Sequence, residues 1–281
     1  MKAMSAFNPR SLDDFAERYP ASPATLQHRL AGHPLFAMHR LTTLARALPA
    51  DRIEYNSGDL PIGQDPGETP MNGLSAEETL RRIAENKSWM VLKNIERDPY
   101  YARLLNACLD ELAPVTAQTT GAMHKREGFI FISSPGSVTP FHMDPEHNIL
   151  MQIRGAKTFR IFPAARDFVS DEQHEAFHRA GGHRNLPYKE DFDDCATAYK
   201  LFPGDALYAP VKAPHWVRVG PDVSISLSIT WRSEASDAEA SLRRANGWLR
   251  AHGIAPPAPG AVPLHDRLAS LGARAAARLA R

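Results

Sequence analysis

His142-Met143-Asp144 places an imidazole and a carboxylate two positions apart. Residues two apart on a strand project from the same face, so both side chains could reach one point. With 12 His and 32 acidic residues in the chain, roughly 1.4 such pairs arise by chance, so the pair gains meaning only from company. That company is His215, in Gly204-Asp-Ala-Leu-Tyr-Ala-Pro210-Val-Lys-Ala-Pro214-His215-Trp216. Two prolines bracket a short loop there, and the histidine opens the next extended segment. Two histidines and one carboxylate fill one face of an octahedron and leave three positions open, the ligand set of non-haem Fe(II) oxygenases. A bidentate co-substrate and O₂ need those open positions. Taken alone, His215 also reads as a barrel-rim histidine bonded to backbone.

Three further residues fit around that set. In the strand 157–162, Lys157 is in phase with Phe159 and Ile161, while Thr158, Arg160 and Phe162 point the other way. If the Phe159 face is inward, Lys157 is an inward ammonium, which is costly without a partner. The distal carboxylate of 2-oxoglutarate would supply one; a solvent-facing lysine after the Gly155 turn is the other reading. Thr139 precedes the metal segment and could donate to the same distal carboxylate. Asn148 opens the next strand and could donate to the metal-proximal carboxylate. Thr and Asn are also ordinary at turns and strand starts.

The elements that must position these residues change character along the chain. The first hundred or so residues read as helices: one from Ser11, one opened by Ser22-Pro23 and ending near Gly32, and one over 36–48. Residues 55–73 read as loop, and Ser75-Ala-Glu-Glu78 as a capping box for a helix to about Asn86. A strand at 89–93 precedes an amphipathic helix at 98–113, with Leu105, Cys108 and Leu112 on its apolar stripe. From residue 128 short strands follow one another, at 129–132, 142–144, 148–154, 157–162, 198–202, 205–209, 215–219 and 223–231.

About eight such strands without intervening helices predict a mainly β fold, a double-stranded β-helix (cupin or jelly-roll) core. On the last strand Ser224, Ser226, Ser228 and Thr230 share one face, which would suit a ligand cavity. A polar insertion at 164–197 has helical character around 170–180. It would frame the substrate entrance, with His183, Tyr188 and Trp216 as candidate contacts, each also readable as a packing or surface residue. Helices at 235–251 and 264–280 close the chain. The expected parts are a helical N-terminal region 1–115, a barrel 116–233 with its insertion, and C-terminal helices 234–281.

Composition narrows the classes further. Lys plus Arg is 33 and Asp plus Glu is 32, a formal net charge of +1, so no global field favours nucleic acid or an anionic membrane. No apolar run is long enough for a membrane span, and the first residues lack the apolar core of a signal peptide. Cys108 and Cys195 form no disulfide framework and no metal pair, which favours a reducing cytoplasm. The last 42 residues hold seven Arg and one Asp. They read as solvated helix faces rather than a nucleic-acid surface, with Leu264, Leu268, Leu271 and Leu279 as a stripe for packing or homodimer formation.

The run Thr139-Pro-Phe-His142-Met-Asp144-Pro-Glu-His-Asn148-Ile-Leu-Met-Gln-Ile-Arg-Gly155-Ala-Lys157, followed by Gly204-Asp205, Pro210 and His215, resembles the JmjC/cupin-like family of Fe(II)- and 2-oxoglutarate-dependent oxygenases. The similarity is to its hydroxylase branch, typified by the asparaginyl hydroxylase of hypoxia-inducible factor. The resemblance implies His142, Asp144 and His215 as iron ligands, Lys157 and Thr139 at the distal carboxylate, and Asn148 near the proximal one. It implies oxidative decarboxylation of 2-oxoglutarate by O₂, coupled to hydroxylation of a C–H bond in a protein or peptide side chain. A small-molecule substrate, or a metal-binding module without turnover, are the alternatives. The acid is Asp144, where demethylating members commonly carry Glu. The hydroxylase branch has an asparagine on the last strand, where this chain reads Ser228-Ile229-Thr230.

Overall fold

The computed structural model describes residues 5–180 and 185–279. Strand β11 (Ser224–Arg232) shows how the sequence builds the architecture. Ile225, Leu227, Ile229 and Trp231 project to one side, into the main apolar core. Ser224, Ser226, Ser228 and Thr230 project to the other and are also buried. Buried hydroxyls must be hydrogen-bonded, and these are. Ser226 donates to Gln152 Oε1, Ser228 donates to Asn148 Oδ1, and Ser224 accepts from Gln152 Nε2. A strand buried on both faces belongs at the centre of a sheet, and β11 lies between two long partners.

Among the described residues there are eleven strands in two antiparallel sheets. The larger holds β1 (Ala24–Gln27), β2 (Ile53–Ser57), β3 (Ser88–Lys93), β4 (His124–Ser133), β6 (His147–Arg154), β9 (Asp205–Ala209) and β11, in the order β1-β9-β6-β11-β4-β3-β2. The smaller holds β5 (Val138–His142), β7 (Lys157–Ile161), β8 (Thr197–Leu201) and β10 (His215–Val219), in the order β5-β10-β7-β8. The two sheets form the expected jelly roll. Leu150, Phe159, Ile161, Leu201, Leu207 and Val217 fill part of the space between them.

The helices α1 (Pro9–Arg18), α2 (Met38–Ala47), α3 (Ala76–Arg81) and α4 (Pro99–Thr120) form the N-terminal part. Phe15, Leu41, Leu80, Leu105, Leu109 and Leu112 from these helices share one core with Ile130, Ile149 and Leu227 of the larger sheet. Burial of each such side chain is worth about 1.5–3 kcal/mol. The insertion carries α5 (Asp171–Ala180), and the chain closes with α6 (Glu234–Ala251) and α7 (Pro263–Leu279). No described helix is long and apolar enough to cross a membrane.

Three expectations about local structure change. The helix expected from Ser22-Pro23 to Gly32 is instead strand β1, paired with β9. Ala24 and Leu26 are buried while Thr25 and Gln27 are exposed, the period of two that a strand needs. The open edge of β9 decides the matter, because its backbone groups need partners. The expected loop at 55–73 begins inside β2, which pairs with β3 for the same reason. Finally, β5 ends at His142, so Asp144 lies just beyond the strand rather than on it.

Candidate active site

His142 is the last residue of β5 and His215 the first of β10, and the two are cross-strand partners in the smaller sheet. Their ring centroids lie 4.1 Å apart. His142 Nδ1 is 2.7 Å from the carbonyl oxygen of Pro140, and His215 Nδ1 is 2.9 Å from that of Ala213. A carbonyl oxygen only accepts, so each Nδ1 carries a proton, and in the neutral ring the lone pair is on Nε2. Both Nε2 atoms face Asp144, at 4.0 Å from Oδ1 for His142 and 3.8 Å from Oδ2 for His215. One donor atom from each of the three residues lies within 4.8 Å of the others. The backbone N–H of Lys212 donates to the Asp144 carbonyl at 2.8 Å, which joins the loop before His215 to the segment after β5.

Thr139, Asn148 and Lys157 line the same cavity as the three donors, a space of about 450 Å³ between the sheets. Lys157 opens β7 and is 5% exposed. Its Nζ lies 5.5 Å from the centroid of the Phe131 ring, and no described carboxylate forms an ion pair with it. Burial pulls its pKa down to about 7, because the charged form loses its hydration. At the wall of an open cavity, such a lysine keeps its charge more readily beside an anion. Phe131, Leu150, Phe159 and Val217 give the cavity apolar sides.

Asn148 lines the cavity beside the donor set. Its Nδ2 donates to Asp144 Oδ2 at 3.0 Å, and its Oδ1 accepts from Ser228 at 2.7 Å. The amide therefore orients the carboxylate of the donor set. Ser228, on the last strand, holds that amide in turn.

The other candidates fall elsewhere. Tyr188 and Trp216 pack beneath the insertion with Phe141, Phe162 and Leu186, and both donate to Asp193 Oδ1. Neither lines the cavity. His183 lies outside the described residues. The insertion instead reaches the site through Asn185, which bridges to His142, and Leu186, whose N–H donates to the Phe141 carbonyl at 2.9 Å.

Glu54 and Asn56 of β2, with Trp89 and Lys93 of β3, form another part of the cavity wall. Glu54 and Lys93 are ion-paired. Their segment reads as loop or as a lone strand in the sequence. The alternation Ile53-Glu54-Tyr55-Asn56 was the signal that could have placed them.

Residues 45–237 match the family model described as a cupin-like domain. Among curated proteins the chain is similar to the Arabidopsis thaliana lysine-specific demethylase JMJ30, at 33% identity over 125 residues, covering 36% of this chain and 24% of that protein. It is also similar to lysine-specific demethylase 8 of Xenopus tropicalis, at 31% over 106 residues, covering 34% and 23%. The chain thus spans about a quarter of the length of the curated relatives it matches. In fold it is similar to Escherichia coli YcfD, with a TM-score of 0.54 at 16% identity over 94% of this chain and 63% of that one. A second structure of YcfD, described as a ribosomal oxygenase, gives 0.50 at 15% identity, covering 91% and 63%.

Proposed function

The chain belongs to the cupin-like domain family, and from that premise we propose that it is an Fe(II)- and 2-oxoglutarate-dependent oxygenase that hydroxylates a side chain of a protein or peptide. The observation that carries the proposal is the sharing of one cavity by the His142, Asp144 and His215 donors and the buried Lys157. Two neutral imidazoles and a carboxylate suit a borderline divalent ion such as Fe(II) and leave positions for other ligands. When bound, iron with 2-oxoglutarate and O₂ supplies the oxidising chemistry, and 2-oxoglutarate leaves as succinate and CO₂.

The protein's own share is positioning. Pro140 and Ala213 fix the tautomers of His142 and His215, and Asn148 sets the plane of the Asp144 carboxylate. The Lys157 ammonium would bind the distal carboxylate of the co-substrate, with the Thr139 hydroxyl as a second donor. With neutral histidines the charges balance: the dication and Lys157 offset Asp144 and a dianionic co-substrate. The apolar walls exclude water and strengthen each of these interactions.

The protein or peptide substrate is supported by the names of the relatives, which include lysine demethylases and a ribosomal oxygenase. Hydroxylation rather than demethylation is supported by the aspartate at position 144. We also propose the three-part organisation 1–115, 116–233 and 234–281, and a homodimer through the C-terminal helices, supported by the exposed Leu264, Leu268 and Leu271 of α7. A cytoplasmic setting is supported by the free thiols of Cys108 and Cys195.

Succinate formation from 2-oxoglutarate by the purified chain, loaded with Fe(II) without air and then exposed to O₂, tests the proposal. Turnover that disappears in His142→Ala and Asp144→Ala is expected. Unchanged turnover in His142→Ala would falsify the assignment.

A further inference from the structure

The loop 210–214 delivers His215 and, through the Lys212 N–H, bonds the Asp144 carbonyl. Lys212 has φ +65°, in the left-handed region that is uncommon for a residue with a Cβ. The side chain of this loop residue is held by α6. The Lys212 ammonium is paired with Glu239 Oε1, and the same oxygen accepts from Arg243 Nε at 2.8 Å. Arg243 in turn donates to Asp171 Oδ1 at 2.5 Å, at the start of the insertion helix. Arg243 is buried and Lys212, Glu239 and Asp171 are largely so. His174 and His178 of α5 face this group, and Arg232 and Arg244 face His178. Glu239 is thus the carboxylate at the centre of a cationic cluster.

We propose that Glu239 is a positioning residue for the metal ligands: by holding Lys212 on one side and Arg243 on the other, it fixes the loop that supports Asp144 and His215 and ties that loop to the insertion. The inference rests on the reading of His142, Asp144 and His215 as a metal site. Burial pushes the Glu239 pKa up, but the neighbouring Lys212 and Arg243 outweigh it and hold the carboxyl at about 2. Without its charge, Lys212 would be a buried ammonium among Arg243, His174 and His178, and the left-handed loop would lose its anchor. Glu175 provides the contrast. It is more deeply buried in the same contact between α5 and α6 and pairs with Arg250, yet it does not touch the loop.

The test is Co(II) affinity, measured by calorimetry on the full chain without 2-oxoglutarate, beside thermal unfolding of the metal-free protein. Glu239→Gln and Lys212→Met should each weaken Co(II) binding about fivefold or more, somewhat less than groups bonded directly to a ligand, at about tenfold or more. Glu239→Asp, which keeps the charge, should recover most of that loss. Glu175→Gln should lower the unfolding temperature while Co(II) affinity stays within about twofold. Wild-type Co(II) affinity in Glu239→Gln, or an equal loss in Glu175→Gln, would overturn the inference. Binding in the wild type that His142→Ala does not weaken would overturn the metal-site reading itself.

Discussion

At the scale of single residues, the cavity wall buries a lysine. Lys157 lies within the barrel with no carboxylate partner among the described residues, and burial lowers its pKa to about 7. Its ordinary value is 10.5, so the ligand-free chain should gain stability as pH rises from about 7 towards 10.5, where the unfolded chain binds the extra proton. Lys157→Met removes the charge at similar volume. It should stabilise the ligand-free chain, which then buries no ammonium, yet raise the 2-oxoglutarate concentration for half-maximal turnover about tenfold or more, the worth of a charged hydrogen bond. Urea unfolding and a substrate titration check the two halves separately. Asn148→Ala should weaken Fe(II) binding about 10–100-fold by freeing the Asp144 carboxylate, as for other outer-shell donors. An anaerobic metal titration checks it.

At the scale of elements, turns and edges decide what the site can use. Gly155 links β6 to β7 at φ +68°, and a Cβ there would lie 2.5 Å from the Val223 carbonyl oxygen. Gly155→Ala therefore combines strain with a backbone clash. It should cost more than about 2 kcal/mol in urea unfolding and displace Lys157 at the start of β7. Helix α5 gives the opposite lesson. His174-Glu175-Ala176-Phe177-His178 has the spacing of a two-histidine zinc helix. Yet Glu175 is bonded to Arg250, His174 faces Lys212 and Arg243, and His178 faces Lys212, Arg232 and Arg244. Among the described residues the only cluster of three donors is His142, Asp144 and His215. Spacing proposes ligands; the charge of the surroundings accepts or refuses them.

At the scale of the whole molecule, buried histidines make the fold sensitive to acid. His147 stacks on Trp231 and shares hydrogen-bond distance with Tyr208 and Ser233. Burial and then Arg232 lower its pKa from 6.5 to about 4. In the unfolded chain it would protonate near 6.5, so its contribution is present above that pH and is lost as pH falls towards 4. At ~1.4 kcal/mol per pKa unit this is about 3 kcal/mol. His174 and His178, held near 3 and 4 chiefly by burial, act in the same direction. The midpoint of urea unfolding should therefore drop between pH 7 and 4.5, and less so in His147→Phe. Two of the seven arginines of the basic C-terminus are used within the fold, since Arg243 and Arg250 hold the insertion to α6. Apolar side chains also face outward from α7. Leu264, Leu268 and Leu271 of α7 are 67%, 61% and 51% exposed, while the side chain of Leu279 lies outside the described residues. Leu268→Asp should convert a dimer to a monomer in light scattering.

The sequence by itself determined the chemistry of the donors, the run of short strands after residue 128 and the polar face of β11. These follow from side-chain type and a period of two, which are local properties. Only the tertiary structure decided that β5 sets His142 opposite His215, that Asn148 serves Asp144, and that residues read as helix or loop become the strands β1 and β2. Edge pairing, desolvation and ion pairing depend on neighbours remote along the chain. A local pattern carries no record of them.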